Sequence, residues 1–349
     1  MPRAGSERAI TLLATAVTCL ATGISSLAYG ILGQPASAGS GVHLADGGFD
    51  FAPAQAGRAY GFQRLPDPDR TVMTDADGKV LAVMTDGART VHLVGPQRVF
   101  AEPRFTDATV TTEFWVRLAP QEWRAGAESE DWFVEWVDRA LRDRSPDVLA
   151  VAMEYTYGAP PRTNDDGVQF AGDASFGPLS PDDPDGRAEN SDFYDYLGVP
   201  WQFPDGIRER PDPAHLRSLD CSGFLRMVYG YRMGYPLLGG NEPGPGLPRR
   251  AYAMAASGPG VQLMPNTGKR PRDLDMLLPG DLLFFNAGPT AGAHIEHSGI
   301  YLGVDDRGHL RFISSRSQAN GPTMGDLAGE SILDGTGYWA TRLRTARRI

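Results

Sequence analysis

Ser218-Leu219-Asp220-Cys221-Ser222-Gly223-Phe224-Leu225-Arg226-Met227 marks the point where an irregular, Pro-rich segment gives way to a helical pattern. Phe224, Leu225, Val228 and Tyr231 recur at helical spacing, and Gly234 is a natural stop. Asp220 or Ser222 can cap the first turn. A thiol placed there meets the positive end of the helix dipole and free backbone N–H groups, both of which favour the nucleophilic thiolate. Gly223 leaves room beside the sulfur for an approaching carbonyl. The same pattern also fits a buried structural cysteine that happens to begin a helix, so the rest of the chain has to decide between the two.

The chain has 349 residues, 41% of them apolar and 22% charged. That is enough for roughly two domains at ~150 residues each and for a real core. The formal charge of −10 is spread rather than clustered, which argues against nucleic acid or an anionic membrane surface as the main partner. Arg3 and Arg8 make a basic start, Ile10 to Leu32 is apolar and uncharged, and Ala36-Ser37-Ala38 offers a small-x-small cleavage site. Residues 1–38 therefore read as a signal peptide. The apolar stretch is about long enough for an uncleaved anchor, but Gly23, Gly30 and Pro35 weaken it as a membrane helix. The expectation is a secreted or cell-wall-associated protein with no membrane partner after cleavage. Of the two cysteines, Cys19 leaves with the leader. Cys221 is then a lone thiol in an exported chain, which makes it a candidate nucleophile or an intermolecular pairing site.

Residues 39–156 read as a small β-rich α+β module. Thr71 to Thr74 and Val80 to Met84 flank a turn at Asp75-Ala76-Asp77-Gly78-Lys79. That turn lacks the later acidic ligand of a calcium loop. Thr109 to Leu118 alternates, with Val110, Thr112, Phe114, Val116 and Leu118 facing one way. Trp132, Phe133, Trp136, Val137, Ala140 and Leu141 form an apolar helical stripe with Ser129 as N-cap, and Val148 to Tyr155 is a strand or a second helix. Residues 157–190 are a Pro/Asp/Gly-rich linker or rim loop, in which Asp182, Asp183 and Asp185 suit turn chemistry. Phe193 to Trp201 is aromatic enough to wall a groove. After the Cys221 helix, Leu277 to Phe285 turns into a buried strand. His297 to Gly303 and Leu310 to Ser315 then form an antiparallel hairpin around Asp305-Asp306-Arg307-Gly308.

Three motifs in this order, Asp220-Cys221-Ser222-Gly223-Phe224, then Pro279-Gly280-Asp281-Leu282-Leu283-Phe284-Phe285, then His297-Ser298-Gly299-Ile300-Tyr301-Leu302-Gly303, resemble the NlpC/P60 family of cell-wall cysteine peptidases. The resemblance runs from roughly Leu197 to Arg316, and the corresponding domain is placed at 191–349. It implies an α+β, papain-like fold in which a Cys-bearing helix packs on an antiparallel sheet that carries the His. It also implies hydrolysis of amide bonds in peptidoglycan stem peptides, typically between D-glutamate and a diamino acid. Carried over residue by residue, Cys221 is the nucleophile and His297 the base. The third catalytic residue falls on Ser314, with His309 as the alternative on the opposite strand face. Where the family usually has Tyr after Gly-x-Pro, Gly198-Val199-Pro200 is followed by Trp201, whose indole N–H is a different oxyanion donor. Trp201, Asp220 and Ser222 are the expected oxyanion and groove residues. No cofactor or metal is expected, since His294 and His297 would face opposite ways on a strand and no His-Glu-x-x-His motif exists. The chain is expected to act as a monomer. Rival readings are a non-catalytic wall-binding protein on the same fold, or a thiol acyltransferase or amidase with a non-wall substrate.

Overall fold

The computed structural model describes residues 60–181, 186–289 and 291–349. The expected leader, Cys19, Asp182, Asp183 and Asp185 lie outside these residues. Contacts divide the chain into two compact units. One contains 60–63 and 72–81 of the described residues, and the other 64–71 and 82–349. The first three strands are β1 (Gly61–Leu65), β2 (Arg70–Thr74) and β3 (Val80–Thr85), as the alternating apolar pattern around the Asp75–Lys79 turn predicts.

Within the larger unit, the second half of β3 pairs with β4 (Thr90–Ala101), which pairs antiparallel with β5 (Thr109–Leu118). The alternation of β5 holds as far as Val116. Arg117 breaks it because its guanidinium turns inward to cap the carbonyls of Pro146 and Ser145. Helix α1 (Asp131–Arg142) buries Phe133, Trp136, Val137 and Ala140, so the tryptophan-bearing stripe is core. Its N-cap is Glu130 rather than Ser129, and Glu130 receives the Trp132 indole N–H at 2.7 Å. Helix α2 (Val148–Met153) starts where Asp147 accepts the Ala150 N–H. The same carboxylate accepts Val116 N at 2.6 Å and pairs with Arg98, so one buried side chain ties α2 to β4 and β5.

Two short hairpins follow, β6 (Arg162–Thr163) with β7 (Gln169–Ala171) and, after helix α3 (Phe193–Leu197), β8 (Trp201–Gln202) with β9 (Arg208–Glu209). Then come α4 (Cys221–Leu225), which continues as a π-helical turn over Arg226–Arg232, and α5 (Ala251–Ser257). The turn ends at Gly234, where φ is 75°, a conformation open to glycine at little cost.

The main sheet runs β10 (Val261–Met264), β15 (Leu343–Arg348), β11 (Leu282–Phe285), β12 (His297–Val304), β13 (Leu310–Arg316) and β14 (Gly321–Thr323), in that spatial order, with every neighbouring pair antiparallel. Its period-2 alternation separates two cores. Leu282, Phe284, Ile300, Leu302 and Ile313 meet Phe224, Leu225 and Val228 of the Cys-bearing segment. Leu283, Phe285, Tyr301 and Phe312 face the other way, onto Trp339 of helix α6 (Tyr338–Arg342). Both faces are covered, which is why β11 reads as an unbroken apolar run. The ends of β4 and β5 reach this part of the chain directly. Glu102, just past β4, accepts Thr323 Oγ1 and Met324 N at 2.7 and 2.8 Å, and Thr109 N donates to Asp306 Oδ1.

Candidate active site

Cys221 is the first residue of α4, and the helix begins there because Asp220 caps it. Asp220 Oδ1 accepts Gly223 N at 2.7 Å and the Ser222 hydroxyl at 3.1 Å, while Oδ2 accepts Asn190 N. Arg249 closes the arrangement with a 2.7 Å bond to Asp220 Oδ2 and a 2.8 Å bond to Ser222 Oγ. Burial works against the Asp220 charge, but Arg249 and the Gly223 N–H outweigh it and hold the carboxyl below its usual range. Asp220 and Ser222 are therefore buried supports of the helix start, with their side chains committed to each other and to Arg249. Gly223 serves packing: a Cβ there would lie 2.1 Å from Ser191 O. The room it makes is taken by the 191–192 backbone.

Behind the cysteine, Arg226 and Asp192 form a wholly buried ion pair at 2.9 Å. Arg226 also donates to the carbonyls of Leu238 and Leu247. Trp201 joins an aromatic cluster, with ring centroids 5.0 Å from Phe193 and 5.9 Å from Tyr231.

The thiol lies against the start of β12. Cys221 Sγ is 3.8 Å from Glu296 O, with Ser298 beside it. Burial pushes the thiol up to about 12. The charges of Asp220 and Glu189 add to that shift, and the Ser298 hydroxyl and amide oppose it. The thiolate expected from the helix dipole is thus not the resting form. The α-helical run is only five residues long, its cap is itself a carboxylate, and the sulfur is out of water.

His297 opens β12 opposite Phe285 of β11. Alternation turns Ser298 toward α4 and the imidazole toward α6, where it lies 4.5 Å from the Trp339 ring at 32°. Its Nε2 is buried without a hydrogen-bond partner among the described residues, and Ser298 Oγ likewise makes no hydrogen bond of ordinary geometry. Burial, and then the Arg316 guanidinium, lower the imidazole to about 3, so it is neutral at physiological pH. No hydrogen bond joins Cys221 to His297 among the described residues. The structure brings the two to the same end of β12, with both groups neutral.

Ser314 lies close to Gly299 across the β12–β13 pair, where a Cβ on the glycine would be 3.1 Å from Ser314 Cβ, but the Ser314 hydroxyl accepts Arg316 Nε at 2.9 Å. His309 is at the hairpin turn, bonded to Asp334 at 2.7 Å. That contact raises its pKa and places the residue outside this group. Sequence reasoning missed Trp339, Arg316 and Arg249. None of them lies in a motif or on an apolar stripe that marks it, and each acquires its role through a contact between distant segments. His294 remains exposed in a cleft of about 570 Å³ with Tyr252, Gln262 and Glu296.

Residues 204–348 match the model of the NlpC/P60 family. The domain they form belongs to that family, whose members are generally cell-wall peptidases. A crystal structure from Staphylococcus aureus subsp. aureus Mu50, described as similar to lipoprotein, NLP/P60 family, is 22% identical with a TM-score of 0.27. That match covers 63% of this chain and 49% of the other, so the chain spans about half the length of that relative. No curated protein matches the chain.

Proposed function

We propose that the protein is an exported cysteine peptidase that hydrolyses amide bonds in peptidoglycan stem peptides, between D-glutamate and a diamino acid. Cys221 is the nucleophile and His297 the base. One observation carries this reading: a buried thiol at a helix start meets the end of the strand that carries His297, whose Nε2 is buried and unpartnered among the described residues. Buried polar atoms in a settled core find partners. An imidazole nitrogen without a partner, one residue from the Ser298 that lies beside the thiol, suits a proton acceptor for it.

The neutral resting pair defines the chemistry. The imidazole turns from Trp339 toward the sulfur and takes the thiol proton as Sγ attacks the carbonyl carbon. The oxyanion is held by the Cys221 N–H, at the first helical position, and by Ser298 Oγ–H. The imidazolium then protonates the leaving amine, and water, deprotonated by the same imidazole, releases the acyl group. Arg316 beside His297 makes the imidazolium costly, so the proton is handed on quickly. Residues 1–38 deliver the chain outside the cytoplasm, and residues 39–156 support the domain at 191–349.

Amino groups released from purified peptidoglycan by the chain lacking residues 1–38, measured beside Cys221→Ala, test the reading. Cys-dependent release with fragments of matching mass is expected. The absence of a Tyr, His, Asn or Gln at the positions of Trp201 and Ser314, together with the unjoined thiol and imidazole, favours one second reading: a wall-binding protein. That reading predicts sedimentation with sacculi and no release of amines.

A further inference from the structure

The cleft of about 570 Å³ that holds His294 is walled by α5, β10, β15 and the loop that leads into His297. Its walls are tied to one another. Asn266 Nδ2 donates to Ala293 O at 2.7 Å, and Asn266 Oδ1 accepts Gly268 N at 3.0 Å. Gln262 Nε2 donates to Thr345 Oγ1 at 3.3 Å, and that hydroxyl donates to Met264 O at 2.6 Å. The hollow is thus formed before a ligand arrives, and its volume is that of a small-molecule site. It also adjoins the nucleophile. Glu296 lines the cleft, and its carbonyl oxygen is 3.8 Å from Cys221 Sγ.

The lining combines an open aromatic ring with uncommitted polar atoms. Tyr252 is 54% exposed and makes no hydrogen bond or ring contact among the described residues. Tyr252, Ala255 and Ala256 share one face of α5 at helical spacing, so two small side chains leave space beside the ring. His294 is exposed and makes no hydrogen bond among the described residues. Gln262 spends its amide N–H on Thr345 and keeps Oε1, and Glu296 accepts only Gly288 N, on Oε2 at 3.4 Å. No Lys or Arg lines the cleft. Arg344, whose charge Glu296 supports, gives its N–H groups to the carbonyls of Gly292, Thr341 and Leu343. A ligand rich in carboxylates therefore finds Glu296 and no cation to receive it, whereas a neutral ligand with one apolar face and a rim of hydroxyls finds a partner for each part.

We propose that this cleft binds a neutral N-acetylated hexosamine, with one face of the sugar ring on Tyr252 and its polar groups on Gln262, His294 and Glu296. The C–H groups of a pyranose face bury against an aromatic ring. Its hydroxyls and acetamido N–H donate to Gln262 Oε1 and the Glu296 carboxylate, and the His294 ring can donate or accept. The acetyl methyl fits the space against Ala255 and Ala256. The proposal rests on the peptidase reading for its source of sugar, the glycan strand of peptidoglycan, and it adds a glycan subsite beside the peptide site. The sugar belongs either to the strand that bears the scissile stem or to a neighbouring one.

The test is titration calorimetry on the full Cys221→Ala chain. The probes are an N-acetylglucosamine trisaccharide, a synthetic stem tripeptide without sugar, and the same tripeptide joined to its disaccharide. The trisaccharide is expected to bind, and Tyr252→Ala to weaken it at least about tenfold, the scale of losing a central aromatic contact. His294→Ala gives an independent loss. Both side chains are exposed, so an unchanged melting temperature verifies the fold. Tighter binding of the disaccharide-linked peptide than of the bare one, lost in Tyr252→Ala, supports the site with the sugar on the scissile stem. Trisaccharide binding without that advantage supports it with the sugar on a neighbouring strand. No binding of the trisaccharide, or binding that survives both substitutions, overturns the proposal. So does Tyr252→Ala weakening the bare peptide as much as the sugar, which makes the cleft a peptide site. Turnover by the Cys221 chain separates the two readings. Tyr252-dependent sugar binding without amine release overturns the peptidase and leaves the cleft, whereas amine release without sugar binding overturns the cleft alone.

Discussion

The imidazole of His297 lies on the indole of Trp339, with ring centroids 4.5 Å apart and planes inclined at 32°. Trp339 in turn carries the Arg316 guanidinium 4.7 Å from its ring. The indole thus lies over a face of the imidazole rather than at a nitrogen, and Ser314 is taken up by Arg316. Stacking restrains the plane of the imidazole and leaves both nitrogens free to exchange protons. Trp339→Phe is expected to retain most of kcat on stem peptides. Trp339→Leu should lower kcat about tenfold with KM little changed, because a base held out of line wastes orientation.

Arg316 adds to burial in setting the basicity of that imidazole. Removing its charge, as in Arg316→Gln, raises the His297 pKa from about 3 toward its ordinary value. The acid limb of the kcat/KM profile then moves to higher pH, while Arg316→Lys leaves it in place. A limb that stays put in Arg316→Gln would contradict the role given to His297.

Cys221 is expected to alkylate more slowly at neutral pH than free cysteine, since burial and the Asp220 and Glu189 charges push its thiol up to about 12. Reaction with iodoacetamide followed against pH reads this directly. Glu189→Gln removes one of the two charges without touching the helix cap, and should speed the reaction at every pH below the thiol pKa.

The buried Arg226–Asp192 pair anchors the π-helical turn behind the nucleophile. Arg226→Met leaves Asp192 with only the more distant Arg249 at 3.4 Å as counter-charge and removes the donors to the Leu238 and Leu247 carbonyls, and Asp192→Asn leaves the guanidinium without its counter-charge. A loss of about 3–5 kcal/mol in unfolding free energy is expected, measurable by denaturant titration. The double variant should recover part of that loss.

His297 and His92 are both buried and lowered to about 3. Each is neutral in the folded chain where the unfolded chain, with a pKa near 6.5, is protonated. The unfolded state therefore binds more protons below about pH 6.5, and stability falls as pH drops from there toward 3. Each unit of difference is worth about 1.4 kcal/mol. Melting temperature against pH should show the fall, and His297→Gln should flatten it.

Much of the domain is legible in the sequence because its signals are local. The β12–β13 hairpin follows from apolar strands around Asp305–Gly308, and the core role of Trp136 from its spacing with Phe133 and Val137. The helix start at Cys221 follows from Asp220, and family membership from three motifs in order. Ser129 has the chemistry of a cap, yet Glu130 takes that place, because only the fold shows which residue leaves helical geometry. Gly223 suggests space for a substrate, yet the 191–192 backbone fills that space, and this segment is distant in sequence.

The sequence by itself determined which segments become helix and strand and which residues can do chemistry, since periodicity, capping and side-chain type are properties of short stretches. Only the tertiary structure decided what state those residues are in. Burial between α4 and β12 makes the thiol neutral rather than ionised, and His297 lies beside Trp339 and Arg316 while the Ser314 hydroxyl, on the same face, is taken by Arg316. The pairing of Ser175 with Arg217 and Leu219 brings the 173–175 segment beside the residues that lead into the Cys221 helix. Desolvation and the charge of a neighbour act through space, and the neighbours here come from segments far apart along the chain.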